Sequence, residues 1–358
     1  MERRRRFDDR SGQEAWLHLS DAIDRIPPER REQARSALAA AFGRSPVTAL
    51  DPVAPGASAS SYRVEVAGRP YLLRLESSRR DEVRDPHRSY FCMQAAVEAG
   101  IAPAVHHADA AAGVAIMDFV RQRPLSDYSG GALALMRDLG ALVARLQAIP
   151  AFPSVRDYPA VVGDLFGRLL GSGMFAPGLL DPHREALERI HEAYPWDSEG
   201  LVSSHNDLNP TNILFDGERL WLIDWETAFR NDPLVDVATL TIFLGPAPEP
   251  ESALLRSWLG RDPDRRLRAR LAVMRQLVRL FFGCVASLNA ANTLTAIVPA
   301  PDLSAPTRVQ FGESVAQGRL AVGSSEAQRI FGKMALGSFL ETLTVPGFEE
   351  ALAVVRQG

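Results

Sequence analysis

The sequence predicts an α+β protein of two lobes, a small β-rich one followed by a large, mainly helical one. Three observations predict it. Between residues 46 and 118 apolar residues alternate with polar ones in short runs, the period of half-buried strands. Beyond residue 118 they recur at i, i+3 and i+4 over long stretches, the period of amphipathic helices. One strongly polar loop, SSHNDLNPTN at 203–212, breaks the helical half and leads into a short hairpin pattern. A cleft between two such lobes is where a ligand is expected.

The first 45 residues form an N-terminal helical extension: Trp16, Leu17, Leu19, Ile23 and Ile26, a break at Pro27-Pro28, then a helix over Glu32 to Phe42. Tyr62, Val64 and Val66 fall on one strand face. Gly68 and Pro70 mark a turn, and YLLRL (71–75) returns as the second strand of a hairpin. His87 to Ala99 reads as a helix closed by Gly100. Val114 to Met117 is a short strand, and MDFVRQRPL leads out of the β-rich part, which spans 46–118.

The larger part, 119–358, opens with a helix carrying Leu135, Met136, Leu139, Leu142, Val143 and Leu146. Further helices are expected at Pro182 to Ala193, along Leu267 to Cys284 and at Gln328 to Leu343. NILF and LWLID, joined at Asp216-Gly217, form a second hairpin. Residues 289–324 read as a long loop.

Composition narrows the function. The chain has 358 residues, 46 % hydrophobic and 23 % charged, with a net charge of −4 and a pI near 6.0. That balance gives no global field toward nucleic acid or an anionic membrane. Two cysteines, Cys92 and Cys284, make no disulfide framework, so a reducing cytoplasm is expected. The Arg3 to Arg6 run has no apolar segment behind it and reads as a solvated tail. The most apolar stretch, Val278 to Leu288, is too short to span a bilayer. Arginine is abundant, and Lys333 is the single lysine.

The polar loop carries the chemistry. Asp207 and Asn212 are spaced D-x-x-x-x-N, and Asp224 ends the next strand. The hairpin brings Asn212 near Asp224, which gives an amide oxygen and a carboxylate suited to Mg²⁺. Asp207 is placed to orient or deprotonate a hydroxyl. Such a set suffices for phosphoryl transfer, where positioning and charge neutralisation do most of the work. Ser203, Ser204 and His205 lack the G-x-S-x-G surroundings of a nucleophilic serine. Trp221, Ile223 and Trp225 alternate along one strand face and read as core.

The stretch SHNDLNPTNILFDGERLWLIDWETAFRNDPLVDVA resembles the signature region of the aminoglycoside phosphotransferase and choline kinase superfamily, which shares the bilobal protein-kinase-like fold. It combines H-x-D-x-x-x-x-N, I-D-W and D-P-x-x-D in order. Upstream, GASASSYRV with YLLRL, then AGIAPAV and VAIMDFV, extend the resemblance over residues 46 to about 245. The resemblance implies ATP and Mg²⁺ as cofactors. It implies Asp207 as the catalytic carboxylate, Asn212 and Asp224 as metal ligands, and His205 and Asp236 as supports of the loop. Gly56, Ser58, Ser60 and Ser61 would lie over the phosphates, Arg74 would contact them, and the backbone of Asp118, Phe119 and Val120 would take the adenine.

Three departures stand out. Arg74 occupies the usual lysine position, as in choline kinase-like members, and an arginine fork holds phosphate oxygens well. The helix glutamate that normally pairs with this cation falls at Ser89, and Glu82 or Asp85 is expected to compensate. After Asp224-Trp225-Glu226, Thr227 and Ala228 replace two aromatics of the choline kinase pattern. Phe229, Trp258, Phe281 and Phe282 are then the candidates to face a cationic acceptor.

The expected function is an ATP-dependent kinase acting on a hydroxyl of a small amine-bearing metabolite, choline- or ethanolamine-like. Aminoglycoside phosphorylation, a nucleotide-binding protein without catalysis and a phosphohydrolase are the alternatives. The expected partner is a small-molecule acceptor, with no nucleic acid and no membrane.

Overall fold

The computed structural model describes residues 23–53, 59–76, 85–196, 199–244 and 247–357. Gly56, Ser58, Glu82, the Arg3 to Arg6 run and the start of the N-terminal helical pattern lie outside these. The chain divides into two compact units. One comprises the residues up to Tyr128 together with Thr211–Ala228. The other comprises Ser129–Pro210 and Phe229 onward. The hairpin that follows the polar loop thus groups with the β-rich part of the chain.

The first unit is built on a five-stranded antiparallel sheet. Its strands are β1 (Val47–Pro52), β2 (Ala59–Val66), β3 (Arg69–Glu76), β4 (Val105–Asp109) and β5 (Val114–Asp118), in the order β1-β2-β3-β5-β4. β2 and β3 are the expected hairpin, with Ser61 opposite Arg74. Tyr62, Val64, Val66, Tyr71, Leu73 and Leu75 are buried on one face, so Arg74 and Glu76 share the opposite one. Helix α1 (Arg31–Phe42) lies against β4 and β5 and adds Ala34, Ala37 and Leu38 to the sheet's core, as do Ile23 and Ile26 upstream. Each fully buried Leu or Ile there contributes about 1.5–3 kcal/mol relative to exposure.

Helix α2 (Pro86–Glu98) begins where the sequence signals it. Pro86 sits in the first turn, and the Asp85 carboxylate accepts from His87 N–H. It ends at Gly100, in the left-handed region at φ 65°.

The second unit is helical. It holds α3 (Gly131–Gln147), α4 (Tyr158–Gly171), α5 (Asp181–Ala193), α6 (Leu234–Phe243), α7 (Pro248–Leu259), α8 (Arg265–Ala291), α9 (Arg308–Ala316), α10 (Ser325–Leu343) and α11 (Pro346–Arg356). α8 is its axis, packed by α4, α6, α10 and α11. The apolar run at Val278 to Leu288 belongs to this 27-residue helix, which is long and apolar enough to cross a membrane by length and composition. That corrects the expectation of a stretch too short to span. Two-thirds of its apolar window is buried inside the unit, as befits a core helix.

Residues 289–324 are not loop throughout. α9 lies within them, opened by a capping box in which Thr307 and Gln310 exchange hydrogen bonds. Lys333 pairs with Asp302 at 3.2 Å.

Candidate active site

In the first unit, strand β3 aims Arg74 away from the core. Its Nε donates to Glu76 Oε1 at 2.9 Å and its Nη2 to Asp224 Oδ1 at 2.8 Å, with Glu226 Oε2 at 3.9 Å. Burial works against the guanidinium's charge. Asp224 first, then Glu76 and Glu226, outweigh it and hold its pKa above the ordinary value.

Strands β7 (Ile213–Phe215) and β8 (Leu220–Leu222) form the expected hairpin, with Ile213 opposite Leu222. Asn212 is buried at the end of a short 3₁₀ turn, and its carbonyl accepts from Ile223 N–H at 3.1 Å. Asp224 is therefore one residue past the position opposite Asn212, not at a matching one. Its backbone is left-handed, φ 66°, a conformation that Asp tolerates better than most residues. It opens the 3₁₀ turn Trp225–Thr227, so Trp225 is not on a strand with Trp221, which donates from Nε1 to Asp216 Oδ2 at 2.7 Å. Arg88 of α2, itself buried, holds that turn: Nε donates to Ala228 O at 3.0 Å and Nη2 to Glu226 O at 2.8 Å.

Among the described residues, no group of three or more His, Cys, Asp or Glu side chains could hold a metal. The donor types of Asn212 and Asp224, an amide oxygen and a carboxylate, are ones that would suit a Mg²⁺ keeping most of its waters. The fit has support in charge. Arg74 faces three carboxylates, Asp224, Glu76 and Glu226, an excess of negative charge that suits a divalent cation.

Ser60 and Ser61 lie on β2 at the end away from the Gly68 turn, paired with Leu75 and Arg74. Asp118 ends β5, where its N–H donates to Ala104 O at 2.8 Å and its carboxylate meets His106 Nε2 at 2.7 Å. Phe119 lies beneath the Arg63 guanidinium, 5.8 Å from ring centroid to Cζ. Val120 directly follows it.

In the second unit, strands β6 (Val202–Ser204) and β9 (Phe229–Asn231) pair at the base of the polar loop. Fully buried Asp236, in the first turn of α6, gathers that loop. Its carboxylate accepts from Ser204 Oγ at 2.8 Å, His205 N–H at 3.0 Å and Asn206 N–H at 2.8 Å. Burial pushes the Asp236 carboxyl above its ordinary range, and His205 and these donors pull it back. His205 is itself fully buried. Asn206, at φ 64°, turns the chain, and Asn231 Nδ2 donates to its Oδ1 at 2.7 Å. Asp207 is half-buried and accepts from Asn209 Nδ2 at 2.8 Å.

The four aromatic candidates do not form one group. Phe229 is buried on β9, and Trp258 Nε1 donates to Gln147 at 2.9 Å. Phe281 and Phe282 do adjoin each other, at 5.4 Å, and are joined by Phe243, Phe331 and Tyr158, which the sequence did not single out.

Ser89 is buried in α2. Asp85 is the cap of that helix, and Glu82 lies outside the described residues. Glu76, two residues beyond Arg74, is a carboxylate partner that the sequence reading passed over. The signal was present in R-L-E: residues two apart on a strand share a face. Arg88, Asn209 and Asn231 were missed too, and nothing in their local pattern marks them.

The profile of the phosphotransferase enzyme family matches residues 49–272. The chain belongs to the phosphotransferase enzyme family. LicA of Haemophilus influenzae is 56 % identical over 40 residues, 11 % of this chain and 15 % of LicA. A choline/ethanolamine kinase family protein from Mesorhizobium loti superposes with a TM-score of 0.66 at 20 % identity, covering 92 % of this chain and 100 % of that one. The ethanolamine kinase of Plasmodium vivax superposes with a TM-score of 0.61 at 14 % identity, covering 98 % of each. The α+β kinase-like fold expected of this phosphotransferase is the fold it has, and the superfamily is the one its motifs resemble.

Proposed function

We propose that this phosphotransferase moves the γ-phosphoryl group of ATP to a hydroxyl of a small amine-bearing metabolite, choline- or ethanolamine-like, in the cytoplasm. The observation that carries the reading is Arg74 seated on Asp224 at 2.8 Å, a phosphate-seeking cation on a metal-seeking carboxylate. The acceptor class is supported by the two structural relatives, a choline/ethanolamine kinase family protein and an ethanolamine kinase. It is supported also by the cluster around Phe243, where the Arg308 guanidinium already lies 5.9 Å from the ring centroid.

ATP bound with Mg²⁺ supplies the phosphoryl group and the divalent charge. Asn212 and Asp224 are the residues to hold the metal. Arg74 would be the residue to hold phosphate oxygens, and its fork suits two of them. Ser60 and Ser61 are the described residues proposed to contact the phosphates, a role the resemblance extends to Gly56 and Ser58, and the backbone of Asp118, Phe119 and Val120 is proposed to take the adenine. Asp207 accepts the hydrogen bond of the acceptor hydroxyl and takes its proton, while Asn209 fixes the plane of the carboxylate. His205 and Asp236 keep the loop in shape. Ser89 stands where the family's helix glutamate would, and Glu76 supplies a carboxylate to Arg74 instead.

The test is ADP release from Mg-ATP across choline, ethanolamine, other amino-alcohols, simple sugars and aminoglycosides. Release that depends on an amino-alcohol and vanishes in Asp207→Asn is the expected result. Release with aminoglycosides alone would move the acceptor to the antibiotic class. Phosphate release without any acceptor would make the protein a phosphohydrolase.

A further inference from the structure

The structure assigns to Glu76 and Arg88 the positioning work that the family resemblance gives to one helix glutamate, here Ser89: Glu76 orients Arg74, and Arg88 holds the turn that follows Asp224. The inference deepens the proposed function and rests on it for its consequence in nucleotide binding.

Glu76 is built into the sheet. Its N–H donates to Gly113 O at 2.9 Å, and Arg30 Nη1 donates to its carbonyl. Arg30 Nη2 also reaches Ala112 O at 3.2 Å and Gly113 O at 3.0 Å, which joins the end of β3 to the turn before β5. Gly113, at φ 62°, passes so close that a Cβ there would lie 3.3 Å from Glu76 Cβ. A carboxylate on so well anchored a backbone, 11 % exposed and 2.9 Å from Arg74 Nε, fixes the plane of the guanidinium. Nη2 is then aimed at Asp224.

Helix α2 contributes in the opposite sense. Where an acceptor for Arg74 would stand it has a buried serine. The adjacent residue, Arg88, is a donor, 6 % exposed, that reaches backbone carbonyls of Glu226 and Ala228. Cys92, one turn on, directs its thiol to the same Ala228 carbonyl at 3.6 Å. The turn so held begins at a left-handed Asp224, φ 66°. The cation is therefore set by the sheet and the metal-ligand turn by the helix. A shift of α2 would move Asp224 before it moved Arg74.

Two readouts on the nucleotide-free protein test this directly. In Glu76→Gln, the Arg74 Nε–H, assigned by its loss in Arg74→Lys, should exchange with solvent about 10-fold faster than in the parent protein. In Arg88→Lys, which keeps the charge and loses the two-pronged contact, amide exchange over 225–228 should quicken while the Arg74 Nε–H is unchanged. A third readout adds ligand: calorimetry should show Mg-ATP affinity about 10-fold weaker in Glu76→Gln. Parent-like Arg74 exchange in Glu76→Gln would overturn the role of Glu76, and parent-like exchange over 225–228 would overturn that of Arg88. If the parent protein binds no Mg-ATP, the proposed function fails, and the two exchange experiments still decide the positioning roles.

Discussion

Arg74 shows how much one side chain is asked to do. It holds Glu76 through Nε and Asp224 through Nη2 at once, a geometry that only a planar fork allows. Arg74→Lys keeps the charge and loses one of the two contacts. Its expected effect is a rise of about 10-fold or more in the KM for ATP.

His183 is a different case, structural and sensitive to pH. It is fully buried, stacked on Phe339 at 5.2 Å and hydrogen-bonded through Nε2 to Leu336 O at 3.0 Å. Burial holds its pKa below the ordinary 6.5, so the folded protein keeps it neutral while the unfolded chain takes up a proton near that pH. The stability it contributes is complete above pH 6.5 and is lost as pH falls toward the folded value. Thermal midpoints between pH 7.5 and 5 should drop more steeply in the parent protein than in His183→Asn. An equal drop in both would assign the acid sensitivity elsewhere.

Among the elements, close approach decides which helices can pair. Gly140 of α3 meets α7 so tightly that a Cβ would lie 2.3 Å from the Leu254 carbonyl. Gly332 of α10 meets Ser287 of α8 likewise, with a Cβ 2.3 Å from its Oγ. Backbone cannot step aside as a flexible side chain can, so Gly140→Ala should cost about 1–3 kcal/mol in urea unfolding. A cost near zero would mean that α3 and α7 slide freely on each other.

Elements also differ in how visibly they announce themselves. α3 and α8 present one apolar stripe each and are plain in the sequence. α6 is buried on every side from Leu234 to Thr241, so it has no polar face and no period to read. α4 hides its period behind three glycines, and α9, inside a stretch that reads as loop in the sequence, carries a capping box, T-x-x-Q, as its one local signal.

For the whole molecule, the central fact is a helical unit threaded on α8 and a sheet unit that carries Arg74, Asn212 and Asp224 together. Leu277, fully buried on α8, is one of the contacts that hold the helical unit to its axis. Leu277→Ala should cost about 2–5 kcal/mol, the range for deleting a core leucine. Mg-ATP, if it binds as proposed, stabilises the folded protein by mass action, by about 2.7 kcal/mol at 100 times its Kd. A rise in thermal midpoint with Mg-ATP that disappears in Asp224→Ala is the expected signature. A rise retained in that variant would place nucleotide binding elsewhere.

By itself the sequence determined the fold class and the superfamily, and it nominated Arg74, Asp207, Asn212, Asp224 and Asp236 as candidates. These follow from local spacing and from order along the chain, and neither needs coordinates. Only the tertiary structure decided who stands next to Arg74. Glu76 reaches it along one strand, but Asp224 arrives from 150 residues away, and Arg88 holds the turn behind it from a helix 138 residues upstream of Glu226. Contacts so remote in sequence leave no periodic trace. They exist because the sheet, helix α2 and the β7–β8 hairpin fold into one unit, and that packing turns a missing helix glutamate into a different solution to the same charge problem.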